Sequence, residues 1–133
     1  MNWENFLFAE VFINLKEKMF LQLNHQKLNI YDVSRKFVRE CYILTKTFPP
    51  EERFAMVQQI RRVALSVHLN IAEGCSRKSE AERKRYFEVA RGSVIEIDAT
   101  LDISDDLSYC KKEDIKELGL TMVRCFSMLS KML

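Results

Sequence analysis

The chain has 133 residues, 47% of them apolar, with three glycines, two prolines and a net charge of +2. That describes one domain with enough chain to bury a core, and so little Gly and Pro excludes a loop-rich class in favour of an all-helical one. The weak net charge gives no strong whole-molecule field, and the absence of an apolar run of about 18 residues excludes a transmembrane helix.

Residues 1–26 form an N-terminal extension that can be drawn as an amphipathic helix, with Phe6, Ala9, Ile13, Phe20 and Leu23 on one side and Lys16 breaking the stripe. Three readings stay open for it: an extra helix on the bundle, a partner-seeking arm, or an unstructured leader before a start at Met19. It is a poor signal peptide, lacking a basic leader and carrying Glu10 within its apolar part. The bundle proper is expected over residues 27–133. Ile30, Val33, Phe37, Cys41, Leu44 and Phe48 recur at helical spacing, which predicts a first helix over 29–47.

Pro49 and Pro50 end that helix and suit the start of a second, where a missing N–H costs nothing. Glu51 and Glu52 then favour the positive end of its dipole. The second helix is expected over 50–74, with Met56, Ile60, Val63, Val67 and Ile71 on its core face and Gly74 in a left-handed position past its end. Ser79 followed by Glu82 reads as a capping box opening a third helix over 79–109, so residues 75–78 are a tight turn between antiparallel arms. Phe87, Ala90, Val94, Ile97 and Leu101 carry its core stripe, and Gly92 within it implies close approach of another backbone. A fourth helix over 112–132 carries Ile115, Leu118, Met122, Cys125, Leu129 and Met132 at alternating three and four. The expectation is an all-α, up-and-down antiparallel four-helix bundle with room for an extra N-terminal helix.

Two further strips of the second helix need partners. Phe54, Leu65, Leu69 and Ala72 form an apolar strip roughly opposite the core face, and a helix apolar on two sides must bury both. A second subunit or an additional helix is the simplest cover, and these four residues are the expected oligomer interface. Gln59, Arg62, Ser66, Asn70 and Glu73 form a polar stripe beside the core. With the turn centred near Arg77, Arg62 comes near Arg91, and Glu96 comes within reach of Arg61 or Arg62. Gln59, Arg62, Ser66, Asn70, Glu73, Arg91 and Glu96 are thus expected to form a structural polar network.

The charge is unevenly placed: residues 1–52 are neutral overall, 53–91 carry net +5 and 92–133 net −3. Arg77, Lys78, Arg83, Lys84 and Arg85 crowd the turn and the start of the third helix, a pattern that neutralises nucleic-acid phosphates. The competing reading is a solvated helix start, with Glu80 and Glu82 offsetting part of the charge. Several copies in a ring would concentrate the patch and favour binding. Tyr86 is placed to stack on a base but at that spacing is better packed.

Catalytic chemistry finds no constellation. Cys41, Cys75, Cys110 and Cys125 have no C-x-x-C spacing and no nearby His, which suits free thiols in a reducing cytoplasm and argues against zinc. His25 and His68 lack the Glu three residues earlier that a di-iron bundle needs. Asp102, Asp105 and Asp106 lack the glycine and final glutamate of a calcium loop. There is no Gly-rich phosphate loop or nucleophile elbow. No enzymatic activity, metal, cofactor or small-molecule substrate is expected.

The stretches FPPEERFAMVQQIRRVALSVHLNIAEGCSRKS and YFEVARGSVIEID resemble the small "four helix bundle protein" family. That family is also described as ribosomal-protein-like, or as encoded in intervening sequences of bacterial large-subunit ribosomal RNA genes. The accessory protein of diversity-generating retroelements is similar. The resemblance is specific from Phe48 to Asp98, through Phe48-Pro49, Glu52, Gln59, Arg62, Ser66, Asn70 to Gly74, Arg77, Ala90 to Ser93, and Glu96. It implies a bundle that assembles into a ring, typically a pentamer, and, from the retroelement relative, binding to nucleic acid and a reverse transcriptase through a basic surface. His68 stands where the family often has proline, and residues 1–26 precede the usual start. The expected role is a non-enzymatic homo-oligomer binding structured RNA or a ribonucleoprotein; a protein-directed scaffold is the alternative.

Overall fold

The computed structural model of the protein describes residues 19–24 and 28–133. Four helices carry the fold: α1 (Asn29–Thr45), α2 (Met56–Ser76), α3 (Glu80–Asp106) and α4 (Lys116–Lys131). Single 3-10 turns at Pro50–Glu52 and Lys112–Ile115 precede α2 and α4, and the described residues contain no strand. The fold is an all-α helical bundle, as the periodicity indicates. The expected N-terminal helix falls largely outside the described residues.

The core is the set of stripes read from the sequence. Phe37 and Cys41 on α1, Ile60, Val67 and Ile71 on α2, Val94 and Ile97 on α3, and Cys125 and Leu129 on α4 are all essentially inaccessible. Cys41 and Cys125 lie deep enough that burial pushes each thiol up to about 12, so neither is a nucleophile near neutral pH. The buried hydroxyl of Thr45 joins this core by bonding locally. Thr45 donates to the Cys41 carbonyl at 3.0 Å while its Oγ1 accepts from Arg61 Nε at 2.8 Å. Arg61 also donates to the Tyr42 carbonyl at 3.4 Å and stacks over the Tyr42 ring at 4.9 Å, so one α2 side chain closes the end of α1.

Helix boundaries differ from expectation where caps intervene. The prolines begin a 3-10 turn rather than α2 itself, and the Glu52 carboxylate caps α2 by accepting from Met56 N at 3.2 Å. Ser79 is the α3 N-cap, with Oγ accepting from Glu82 N at 3.2 Å.

Gly74 corrects one expectation and Gly92 another. No glycine has a positive φ, and Gly74 is a buried residue within α2. A Cβ there would stand 2.8 Å from Phe87 Cε1 and 2.9 Å from Tyr86 Cβ, so this glycine lets α3 pack closely. A Cβ at Gly92 would meet nothing within 4 Å, so among the described residues no other element's backbone approaches there.

The left-handed residue is Ser108, at φ 63°, just past the end of α3. The bonds Ser108 N to Asp105 O (2.9 Å) and Tyr109 N to Ser104 O (2.9 Å) make a Schellman-type stop. A serine in that region carries a steric cost that glycine avoids. Ser108→Gly is therefore expected to raise stability by about 1 kcal/mol in urea unfolding, after the larger unfolded-state entropy of glycine is counted.

Candidate nucleic-acid interface

The basic run lies at the tip of the α2–α3 hairpin, and its five cations are not equivalent. Arg83 turns inward: its Nη1 donates to the carbonyls of Arg77 (2.9 Å) and Lys78 (2.7 Å), clamping the connection between the helices. Arg77 donates through Nη2 to Glu73 and, at 3.0 Å, to the Tyr86 hydroxyl, and its guanidinium lies 5.1 Å over the Tyr86 ring. Tyr86 above all, with Glu73, holds the Arg77 guanidinium above its ordinary value, so it stays charged. Lys84 pairs with Glu80 one turn earlier, at 3.4 Å on an exposed surface, a contact of little energetic weight. Among the described residues the side chains of Lys78 and Arg85 have neither a hydrogen bond nor an ion pair, and both residues are exposed.

A cleft of about 310 Å³ opens at this tip, lined by Asn70, Arg77, Glu82, Arg85, Tyr86 and Val89. Arg77 Nε is buried at its inner side without a partner. The cleft thus presents cationic donors beside an aromatic ring that Arg77 already covers. Cys75 lies just before the clamp; partial burial raises its thiol, and the charge of Arg83 offsets part of that.

Below the tip the polar stripe divides into separate groups. Gln59 Nε2 donates to Glu96 at 2.9 Å and Arg62 Nη2 donates to Gln59 Oε1 at 3.0 Å. Asn70 donates to the carbonyl and hydroxyl of Ser66 at 2.8 and 3.0 Å, and Ser93 joins them at 3.1 Å across the hairpin. Glu73 belongs with Arg77. Arg91 instead donates to Ser130 of α4 at 2.8 Å and lies 4.4 Å over the Phe126 ring. The pairs Gln59–Glu96 and Ser66–Ser93 place the hairpin midpoint between Arg77 and Glu80, and Glu96 receives Gln59 rather than Arg61 or Arg62. Ser93 and Ser130 are the members that sequence reasoning left out. Only the resemblance marked Ser93, and nothing in spacing marks Ser130.

His68 is packed between α1 and α2. Its Nδ1 lies 2.7 Å from Ser34 Oγ and its ring 4.5 Å from that of Tyr31, tying α2 to α1. Among the described residues no group of three or more His, Cys, Asp or Glu side chains is placed to hold a metal ion. None of the described helices is long and apolar enough to cross a membrane.

Phe54, in the connection just before α2, is 81% exposed, and on the outer side of α2 Leu69 is 58% and Leu65 38% exposed, with Ala72 half-buried. Exposed apolar side chains continue on α3 at Val89, Ile103 and Leu107.

The described residues thus form a helical bundle whose α2–α3 hairpin carries a cluster of basic side chains at its tip. The chain belongs to the 23S rRNA-intervening sequence protein family, whose model matches residues 26–131. No curated protein matches the chain at a significant level.

Proposed function

We propose that this protein is a non-enzymatic homo-oligomer, a pentameric ring in the reading the resemblance favours, that binds structured RNA or a ribonucleoprotein through its hairpin tips in the cytoplasm. The observation that carries the proposal is a pair of exposed cations at the hairpin tip, Lys78 and Arg85, whose side chains are unpaired among the described residues, with Arg85 lining the cleft, in a family named for an rRNA intervening sequence. Arg77 completes that surface, Lys84 adds general positive field, and Arg83 acts through the backbone it clamps. The seam of Gln59, Arg62, Ser66, Asn70, Glu73 and Glu96 keeps the two arms in register beneath the tip.

Assembly follows from the outer face of α2. Leaving Phe54, Leu65 and Leu69 in water forgoes about 1.5–3 kcal/mol for each large side chain that full burial would gain. A second copy is the simplest cover, and Gly92, open on the chain's own side, lets another backbone come close. Repeated tips then act together, and avidity replaces strong single contacts.

A filter-binding titration with a structured RNA tests the RNA role. Affinity is expected to fall steeply with salt, log K dropping by about 0.7–0.9 per log unit of salt for each phosphate neutralised. No binding at low salt would overturn it. The scaffold reading has its own support, because Arg77, Arg83 and Lys84 are already partnered within the chain. On that reading capture of protein partners persists when the tip charge is reversed.

A further inference from the structure

The start of α2 and the end of α3 each carry charge that their own helix disfavours. A groove of about 440 Å³ lies beside the start of α2, with Phe54, Val57 and Leu65 as its apolar surface and Arg53, Arg61 and Arg62 around them. These cations stand near the positive end of the α2 dipole. Arg53 lies 5.2 Å over the Phe54 ring and Arg62 donates to Gln59, but among the described residues none of the three arginines has an ion pair. α3 shows the opposite sign. No Lys or Arg occurs from residue 92 to residue 106, and Asp102, Asp105 and Asp106 crowd the negative end of its dipole with no basic side chain in the last turn. Asp102 and Asp106 repel one another a turn apart, and both are exposed and without an ion pair among the described residues. On the same side of α3, Gly92, Ile95, Ala99, Ile103 and Asp106 follow at spacings of three and four, and all five are exposed.

We propose that the α2 groove receives this outer stripe of α3 from a second copy of the chain. The inference rests on the assembly proposed above and names the two faces that meet in it. Like faces exclude one another: two α2 grooves brought together would oppose six arginines, and two α3 stripes would oppose their aspartates. Unlike faces set Asp102 and Asp106 against Arg53 and Arg62, while Ile95 and Ile103 cover Phe54 and Leu65. Gly92 and Ala99 leave room for those larger side chains. Charges at such a rim select the partner and its register more than they add affinity. Two different faces joined head to tail close a ring when the rotation allows.

Charge exchange, read by light-scattering mass with helical circular dichroism beside it, tests the pairing. Asp102→Arg with Asp106→Arg places cations where the α3 dipole favours them, so the bundle should stay folded while the mass falls to one chain. Arg53→Glu with Arg62→Glu should do the same from the other face. All four substitutions in one chain restore opposite charges across the contact and should bring back the wild-type mass. A four-fold variant that stays at one chain overturns the proposal, because the two charge sets then do not face each other. So does an Asp102→Arg, Asp106→Arg protein that keeps the wild-type mass, which leaves assembly standing but takes α3 out of it. A wild-type mass of one chain removes the assembly itself, and the pairing with it.

Discussion

Reversing the charge of Lys78 and Arg85 together is expected to abolish RNA binding while leaving the bundle intact. Both side chains are exposed and make no hydrogen bond or ion pair among the described residues, so the substitution to Glu disturbs none. Each chain loses two cations and gains two anions at the surface that would meet phosphate. In a ring the change is repeated in every copy, so the effect on affinity multiplies rather than adds. The salt dependence should fall by roughly 0.7–0.9 in log–log slope per lost phosphate contact. Arg83→Glu should behave differently: it removes the two carbonyl contacts that clamp the turn, and therefore lowers stability as well as binding. Thermal unfolding beside the titration separates the two. Unchanged RNA affinity in the Lys78→Glu, Arg85→Glu protein would move the binding surface off the hairpin tip.

Gly74→Ala is expected to destabilise the protein by about 1–2 kcal/mol, against the usual direction for a glycine inside a helix. Replacing a helical Gly by Ala gains about 1 kcal/mol of propensity. Here the new methyl would meet Tyr86 Cβ at 2.9 Å and Phe87 Cε1 at 2.8 Å. A Cβ cannot rotate aside, because it is fixed to the α3 backbone, so the hairpin arms must separate. Overpacking of that kind costs about 1–3 kcal/mol, which exceeds the propensity gain. Gly119→Ala supplies the contrast, since nothing lies within 4 Å of its added carbon, and it should stabilise by about 1 kcal/mol. Urea unfolding of the two variants checks both signs.

These residues also mark where sequence legibility ends. The helical stripes were readable because burial imposes a 3.6-residue period on chemistry visible in one dimension. Gly74 was visible as a special position, but its reason was not: a left-handed stop and a close helix contact call for the same residue. The actual left-handed stop falls on Ser108, which has no such signature. Arg83 reads as one more cation until the carbonyls of Arg77 and Lys78 are seen to converge on it. Arg91 left its expected neighbour because α4 packs beside α3 there, and only tertiary order brings Phe126 and Ser130 within reach. Local rules therefore reached the elements and the identity of the tip, while the division of labour among its cations required the fold.

The proposed assembly joins copies through the outer face of α2, and light-scattering mass tests it most directly. The wild-type protein is expected at several times the 15.7 kDa of one chain. Leu69→Asp, at a side chain already 58% exposed in the single chain, should fall to one chain with its helical circular dichroism intact. A wild-type mass of one chain would contradict the assembly and, with it, the clustering of hairpin tips on RNA.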